Sequence, residues 1–156
     1  MRKRSNYRPK GTILDPLGYF AKLPSAHRDN INLRNHISLE KILKGDGDSK
    51  DWDEVTAALN MGIILDVHVY GGEHNVLFVT ASNHHAACGE RIGKAGRILY
   101  SGPELVAVRQ ALEIHDAQMA QATTAEIDRA VREAQRLLKA GHINAVQKAA
   151  RLKAKL

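Results

Sequence analysis

The chain has a single cysteine, Cys88, among its 156 residues, so it cannot form an internal disulfide. A lone thiol is typical of a reducing compartment, and we expect a cytoplasmic protein. Its most apolar run, MGIILDVHVY at 61–70, is too short to span a bilayer and contains Asp66 and His68. The opening MRKRSNYRPKG lacks the apolar segment of a signal peptide, so no membrane partner is predicted.

The sequence also lacks the motifs that mark common classes of enzyme. It contains no phosphate-binding loop, dinucleotide fingerprint or nucleophile elbow. His84 and Cys88 have a spacing that can bind zinc, but no second cysteine or matched histidine pair completes a ligand set. We therefore interpret Cys88 as a small buried residue and predict neither a metal site nor a cofactor.

Charge is distributed unevenly along the chain, although the whole sequence carries a net charge of +6. Residues 1–10 carry +5 and residues 129–156 carry +7, whereas residues 11–128 sum to −6. The sequence therefore describes an acidic body with two basic ends.

Apolar residues recur mostly at three- and four-residue spacing, and aromatic residues make up only 4% of the chain, which favours helices over strands. We predict an all-α protein, a compact helical bundle of about five to six helices. The helical domain spans residues 12–141. A flexible basic arm at 1–11 precedes it, and a basic C-terminal helix or tail at 142–156 follows it.

Helix boundaries are predicted from capping and breaking residues. A short helix begins at Asp15-Pro16 and is stopped by Pro24, and a second runs from about Asn30 to Leu43. The loop GDGDS follows at 45–49. A third helix begins near Asp51 and, because it is apolar on all sides after Met61, we place it at the centre of the bundle.

Two later helices begin with capping signatures, in which Ser or Thr is followed three residues on by Glu. The signatures are Ser101 with Glu104 and Thr123 with Glu126. Gly141 is expected to end the second of these helices.

Residues 67–80 have an ambiguous pattern, because VHVYGGEHNVLFVT is compatible with a β-hairpin as well as with two helices joined at Gly-Gly. We favour two helices, since a lone hairpin is only marginally stable in water. The helical interpretation also places apolar residues and a histidine on one face, namely Leu77, Ala81, His84, Cys88 and Ile92.

The doublet His115-Asp116 is of the kind that holds metal in one class of all-helical phosphohydrolases. In a helix at 103–121, His115 falls on the predicted buried line, and Asp116 is turned about 100° away. A metal site would need both side chains to converge, with further ligands from elsewhere such as His84, His85 and Asp128. We interpret His115 as a hydrogen-bonded core residue and Asp116 as a surface residue, and keep a metal-dependent hydrolase as the minor alternative. The rest of that buried line is Leu105, Val108, Leu112, Met119 and Ala122.

The basic ends are the stronger functional signal. The N-terminal arm is rich in arginine, is extended by its proline and offers an aromatic ring for stacking, which suits contact with nucleic acid. Two other roles stay open: the ends only aid solubility, or they dock on the acidic body of a neighbouring subunit. The residues predicted to bind nucleic acid are Arg2, Lys3, Arg4, Tyr7, Arg8, Lys10, Arg132, Arg136, Lys139, Arg151 and Lys153.

Several segments together resemble a group of small helical proteins encoded in temperate phages and prophages of proteobacteria. The most specific are NHISLEKILKG and GPEL…LEIHDAQ, and the similarity covers roughly residues 7–128. The resemblance implies a phage accessory context in a bacterial host cell. It transfers no catalytic residue, because the group has no established activity.

We therefore expect a non-enzymatic phage or prophage accessory or regulatory protein that binds nucleic acid or a nucleoprotein complex. The alternative is a protein that binds and inhibits a host defence or replication complex, as an anti-CRISPR factor does, with its acidic body imitating nucleic-acid charge. A homodimer is also compatible with the sequence.

Overall fold

The computed structural model describes residues 21–95 and 100–140. These residues form five helices, and the only β-type pairing among them is an isolated bridge between Lys22 and Thr123. The predicted all-α bundle is confirmed. No helix in these ranges combines the length and apolar character that a membrane span requires. The helices are α1 (Ser25–Lys44), α2 (Ser49–His68), α3 (Asn75–Ala95), α4 (Gly102–Gln121) and α5 (Thr124–Lys139).

Helix α2 lies at the centre of the bundle and contacts each of the other four helices. Residues 62–66 are all buried, as expected for the part of this helix that is apolar on every side. Two clusters of buried side chains meet along α2. The first cluster has members from α1, α2, α3 and α4 and includes Leu59, Phe78 and Leu112. The second contains buried side chains of α5 and includes Ile64 and Leu137. The predicted central position is confirmed.

Helices α4 and α5 begin where the capping signatures predict. The Ser101 N–H donates to Glu104 Oε2 at 2.7 Å, and the Thr123 N–H donates to Glu126 Oε2 at 2.8 Å. The Glu126 N–H in turn donates to Thr123 Oγ1 at 3.3 Å. In both helices the N-cap N–H is therefore paired with the glutamate three residues on, and in α5 the Glu126 N–H is paired as well, so a short sequence motif specifies where each helix begins.

Helix α1 begins five residues earlier than predicted, at Ser25 rather than near Asn30. Pro24 is its N-cap, and the Pro24 carbonyl accepts the N–H groups of His27 and Arg28. The proline therefore precedes a helix. The short helix predicted to end at Pro24 lies mainly outside the described residues, and 21–24 are not helical.

Helix α2 also begins slightly early, at Ser49, so the predicted loop at 45–49 is one residue too long. Asp48 caps this helix by accepting the N–H groups of Lys50 and Asp51, at 2.8 and 3.0 Å. The structure ends α5 at Lys139, and the predicted stop at Gly141 lies outside the described residues.

The segment between α2 and α3 is a turn rather than a hairpin. Gly71 and Gly72 both have positive φ, 74° and 79°, a conformation that side chains with a Cβ rarely adopt. The His74 N–H at the start of the next helix donates to Asp66 Oδ1 at 3.2 Å. The preferred helical interpretation is confirmed, and Cys88 of α3 is fully buried as predicted.

Candidate functional site

The described part of the basic C-terminal end is helix α5. Its apolar side packs against the bundle through Ala130 and Leu137. Four exposed cations occupy the opposite side, and we call them the basic row. Their spacing of three, four and three residues places them within about 80° of arc and about 15 Å of helix length. The basic row is Arg129, Arg132, Arg136 and Lys139.

Two members of the basic row pair with acidic side chains of the same helix. Arg132 contacts Asp128, and Arg136 Nε donates to Glu133 Oε2 at 2.7 Å. Both arginine side chains stay more than half exposed, at 64% and 57%. Exposed ion pairs of this kind contribute only about 0–1 kcal/mol, so a phosphate group can compete with the carboxylate for either arginine.

The structure therefore brings three of the predicted nucleic-acid contacts, Arg132, Arg136 and Lys139, onto one helix face, with Arg129 beside them. The described residues contain 13 basic and 16 acidic side chains, a net charge of −3, so the remaining residues carry +9. The other predicted contacts lie outside the described residues: Arg2, Lys3, Arg4, Tyr7, Arg8, Lys10, Arg151 and Lys153.

The two side chains of the His115-Asp116 doublet lie in different environments. His115 is 2% exposed, which confirms its predicted place in the core. Asp116 is half-buried rather than a surface residue, because its Oδ2 lies 2.8 Å from Nε2 of His36 on α1. Within residues 21–95 and 100–140, no group of three or more His, Cys, Asp or Glu side chains is placed to hold a metal ion.

A pocket of about 530 Å³ opens between α1, α2, α4 and α5. Its walls are mostly apolar and include Ile31, Met61, Met119 and Ile127. The charged side chains that line it, such as Arg34 and the Glu54 with which it pairs, are more exposed and lie at the rim. No sequence pattern predicts this pocket, because four helices contribute to it and only the packed bundle brings them together.

Two buried polar side chains line the pocket, Asn35 of α1 and His115 of α4. Neither Asn35 Nδ2 nor His115 Nδ1 has a hydrogen-bond partner among the described residues. The hydrogen bond predicted for His115 is therefore missing at Nδ1. Burial lowers the pKa of His115 to about 4, although the side chain of Gln118 favours the charged form. The imidazole is consequently neutral at pH 7.

A second buried histidine, His85 of α3, has a partner at each ring nitrogen and an aromatic ring stacked on the imidazole. Its Nε2 lies 3.0 Å from Thr56 Oγ1, and its Nδ1 contacts the hydroxyl of Tyr100. The Trp52 ring stacks on the imidazole with centroids 3.7 Å apart. The sequence suggested His85 only as a possible metal ligand, whereas in the structure His85 joins α2 and α3 to Tyr100, which lies just before α4.

The described residues form an all-α bundle that has a cationic face on α5 and, between α1, α2, α4 and α5, an apolar pocket lined by two buried polar side chains. No protein-family model, no curated protein and no solved structure matches the chain. The resemblance to phage proteins therefore stays a prediction, and function is inferred from charge and geometry.

Proposed function

We propose that this protein is a non-enzymatic accessory or regulatory factor of a phage or prophage, acting in the cytoplasm of a bacterial host cell. It binds nucleic acid or a nucleoprotein complex through its two basic ends. The observation that carries this proposal is the basic row of α5, after which the sequence contains four further cations, Lys148, Arg151, Lys153 and Lys155.

Phosphate binding by such a row has a direct physical basis. Each cation that neutralises a phosphate releases condensed counterions, and arginine can also donate two parallel hydrogen bonds to phosphate oxygens. The described part of the body, residues 21–95 and 100–128, has nine basic and fifteen acidic side chains, a net charge of −6, and is repelled by a polyanion. Contact through the basic ends therefore orients the acidic body away from the nucleic acid.

The experiment compares the full chain with a variant in which the four members of the basic row are changed to glutamine. Glutamine removes the charge and keeps a high helix propensity, so α5 is expected to stay folded. Binding to a generic duplex is measured by fluorescence anisotropy at several salt concentrations. We expect weaker binding and a shallower dependence of log affinity on log salt, by about 0.9 for each lost phosphate contact.

A matched control removes the same number of positive charges from the body, at Lys22, Arg28, Lys44 and Arg109. An equal loss of affinity in this control would show that overall charge, rather than the basic row, controls binding. Deleting residues 1–10 tests the N-terminal arm separately and should also weaken binding. A full chain without salt-dependent duplex binding contradicts the proposal, and co-purification of a host protein in its place favours the inhibitor alternative.

A further inference from the structure

We propose that the pocket between α1, α2, α4 and α5 binds an uncharged, mainly apolar small molecule, whose hydrogen-bonding group reaches Asn35 and His115. This inference stands on the pocket alone and does not rest on the nucleic-acid proposal. No member of the basic row lines this pocket.

The size and walls of the pocket suit a small organic ligand. Its volume of about 530 Å³ falls within the range of roughly 300–1,000 Å³ that is typical of ligand pockets. Apolar side chains from all four helices line it, among them Ile31, Met61, Met119 and Val131. The two methionines are unbranched and flexible, so the walls can adapt to the shape of a ligand.

The floor of the pocket supplies hydrogen bonds that no described residue uses. Asn35 is 6% exposed and His115 is 2% exposed, yet Asn35 Nδ2 and His115 Nδ1 are both unpartnered among the described residues. Buried polar groups nearly always have partners in folded proteins. A carbonyl oxygen on the ligand would accept hydrogen bonds from the Asn35 Nδ2–H and from His115 in its Nδ1–H tautomer, which meets both needs with one polar group.

The charge of the ligand follows from the same residues. The cationic side chains that line the pocket, Arg34 and Lys50, are exposed, so an anion buried at Asn35 and His115 would lose its hydration without compensation. At the rim, Arg34 and Lys50 are balanced by Asp53 and Glu54, and Arg34 already pairs with Glu54. The pocket therefore offers no net attraction to a charged ligand of either sign.

The test uses the full chain and three related probes. Benzophenone is uncharged and carries one carbonyl group, its hydrocarbon analogue has a methylene group in place of the carbonyl oxygen, and benzoylbenzoate adds a carboxylate. Binding is followed by nuclear magnetic resonance titration. We expect saturable binding of benzophenone to one site, at least about fivefold tighter than that of the hydrocarbon, because each net hydrogen bond contributes about 1 kcal/mol. Benzoylbenzoate should bind more weakly than benzophenone.

Two matched variants locate the binding site. Ala57 is exposed and lines the pocket, and Ala86 is exposed on α3 away from it. Ala57→Phe should fill the opening and weaken benzophenone binding at least tenfold, whereas Ala86→Phe should change it less than twofold. Circular dichroism confirms that both variants keep their helices.

A third variant tests the polar floor. Asn35→Leu should remove the preference for the ketone over the hydrocarbon, and the probe pair keeps the test decisive even where this variant fails to fold. The proposal is overturned if neither uncharged probe binds, as when water, another segment of the chain or a second copy fills the pocket. Equal binding of ketone and hydrocarbon, or equal binding by the Ala57→Phe and Ala86→Phe variants, overturns it as well.

Discussion

Asp116 Oδ2 of α4 lies 2.8 Å from His36 Nε2 of α1, so the aspartate of the His115-Asp116 doublet is engaged with a neighbouring helix. The adjacent His115 lies on the buried side of α4 and lines the pocket. Side chains of consecutive residues in a helix point about 100° apart. The two residues of the doublet therefore have separate roles: Asp116 joins α4 to α1, and His115 lines the pocket.

Replacing Asp116 with asparagine should weaken the junction between α1 and α4. Because both partners are about one third exposed, solvent screening limits the loss to roughly 1 kcal/mol of unfolding free energy. Urea denaturation measures this loss, and Glu113→Gln, at an exposed site on the same helix, is the matched control. In a double-mutant cycle with His36→Gln the two losses should not be additive. Additive losses would mean that the contact contributes nothing.

A close approach between α2 and α3 gives a larger expected effect. A Cβ placed on Gly62 would lie 2.2 Å from Cε1 and 2.6 Å from Cζ of Phe78, both well inside van der Waals contact. Phe78 is fully buried, so its ring could move only by displacing the side chains packed around it. Gly62→Ala should therefore destabilise the protein by about 1–3 kcal/mol, even though alanine favours a helix by about 1 kcal/mol.

Gly102→Ala is the matched control for this prediction. Gly102 is the first residue of α4, and a Cβ there would meet no atom within 4 Å. This variant should be neutral or slightly more stable, because alanine restricts the unfolded chain without a clash in the folded one. Thermal unfolding of both variants gives the comparison, and similar melting temperatures for the two would refute the close approach.

Local signals account for what the sequence predicted well. The Ser101–Glu104 and Thr123–Glu126 pairs lie within one helical turn, so a short motif specifies both the contact and the helix start. The start of α1 was placed too late because Pro24 offers no capping side chain, whereas Asn30 resembles a cap.

Contacts between distant segments account for what the sequence missed. The partner of Asp116 is 80 residues away, and Asn35 becomes a pocket residue only after α1 packs beside α4 and α5. Hydrophobic periodicity reports which side of a helix is buried, but not which helix covers it. For this reason His115 was assigned to the core while its unpartnered Nδ1 was not foreseen.

The hydroxyl of Tyr100 should contribute measurably to stability through His85. Tyr100→Phe keeps the aromatic ring but leaves His85 Nδ1 without the hydroxyl it contacts at a buried site. A buried polar group that loses its partner costs about 1–3 kcal/mol. Urea denaturation should show a loss in this range. An unchanged midpoint would mean that water replaces the hydroxyl.

Stability should decrease as pH falls from about 6.5 towards 4, because two histidines resist protonation in the folded state. Burial lowers the pKa of both His85 and His115 to about 4, from an ordinary value of 6.5. Above pH 6.5 both are neutral whether the chain is folded or not. As pH falls below 6.5 the unfolded chain takes up protons that the folded chain does not, so unfolding becomes easier.

The size of this loss in unfolding free energy, and the pH range in which it occurs, distinguish the histidines from the carboxylates. Each histidine contributes a loss of about 3 kcal/mol once pH 4 is reached. The hydrogen bonds from Arg91 lower the pKa of Glu104 to about 2, so its stabilising effect is lost only below its ordinary value of 4.5. Between pH 4.5 and 6.5 the change of unfolding free energy with pH is therefore due mainly to the histidines. Urea unfolding is measured across this range, and the unfolding free energy of the His115→Gln variant should change with pH about half as steeply as that of the wild type. A wild-type unfolding free energy that is constant from pH 7 to 5 would contradict the burial of both imidazoles as neutral groups.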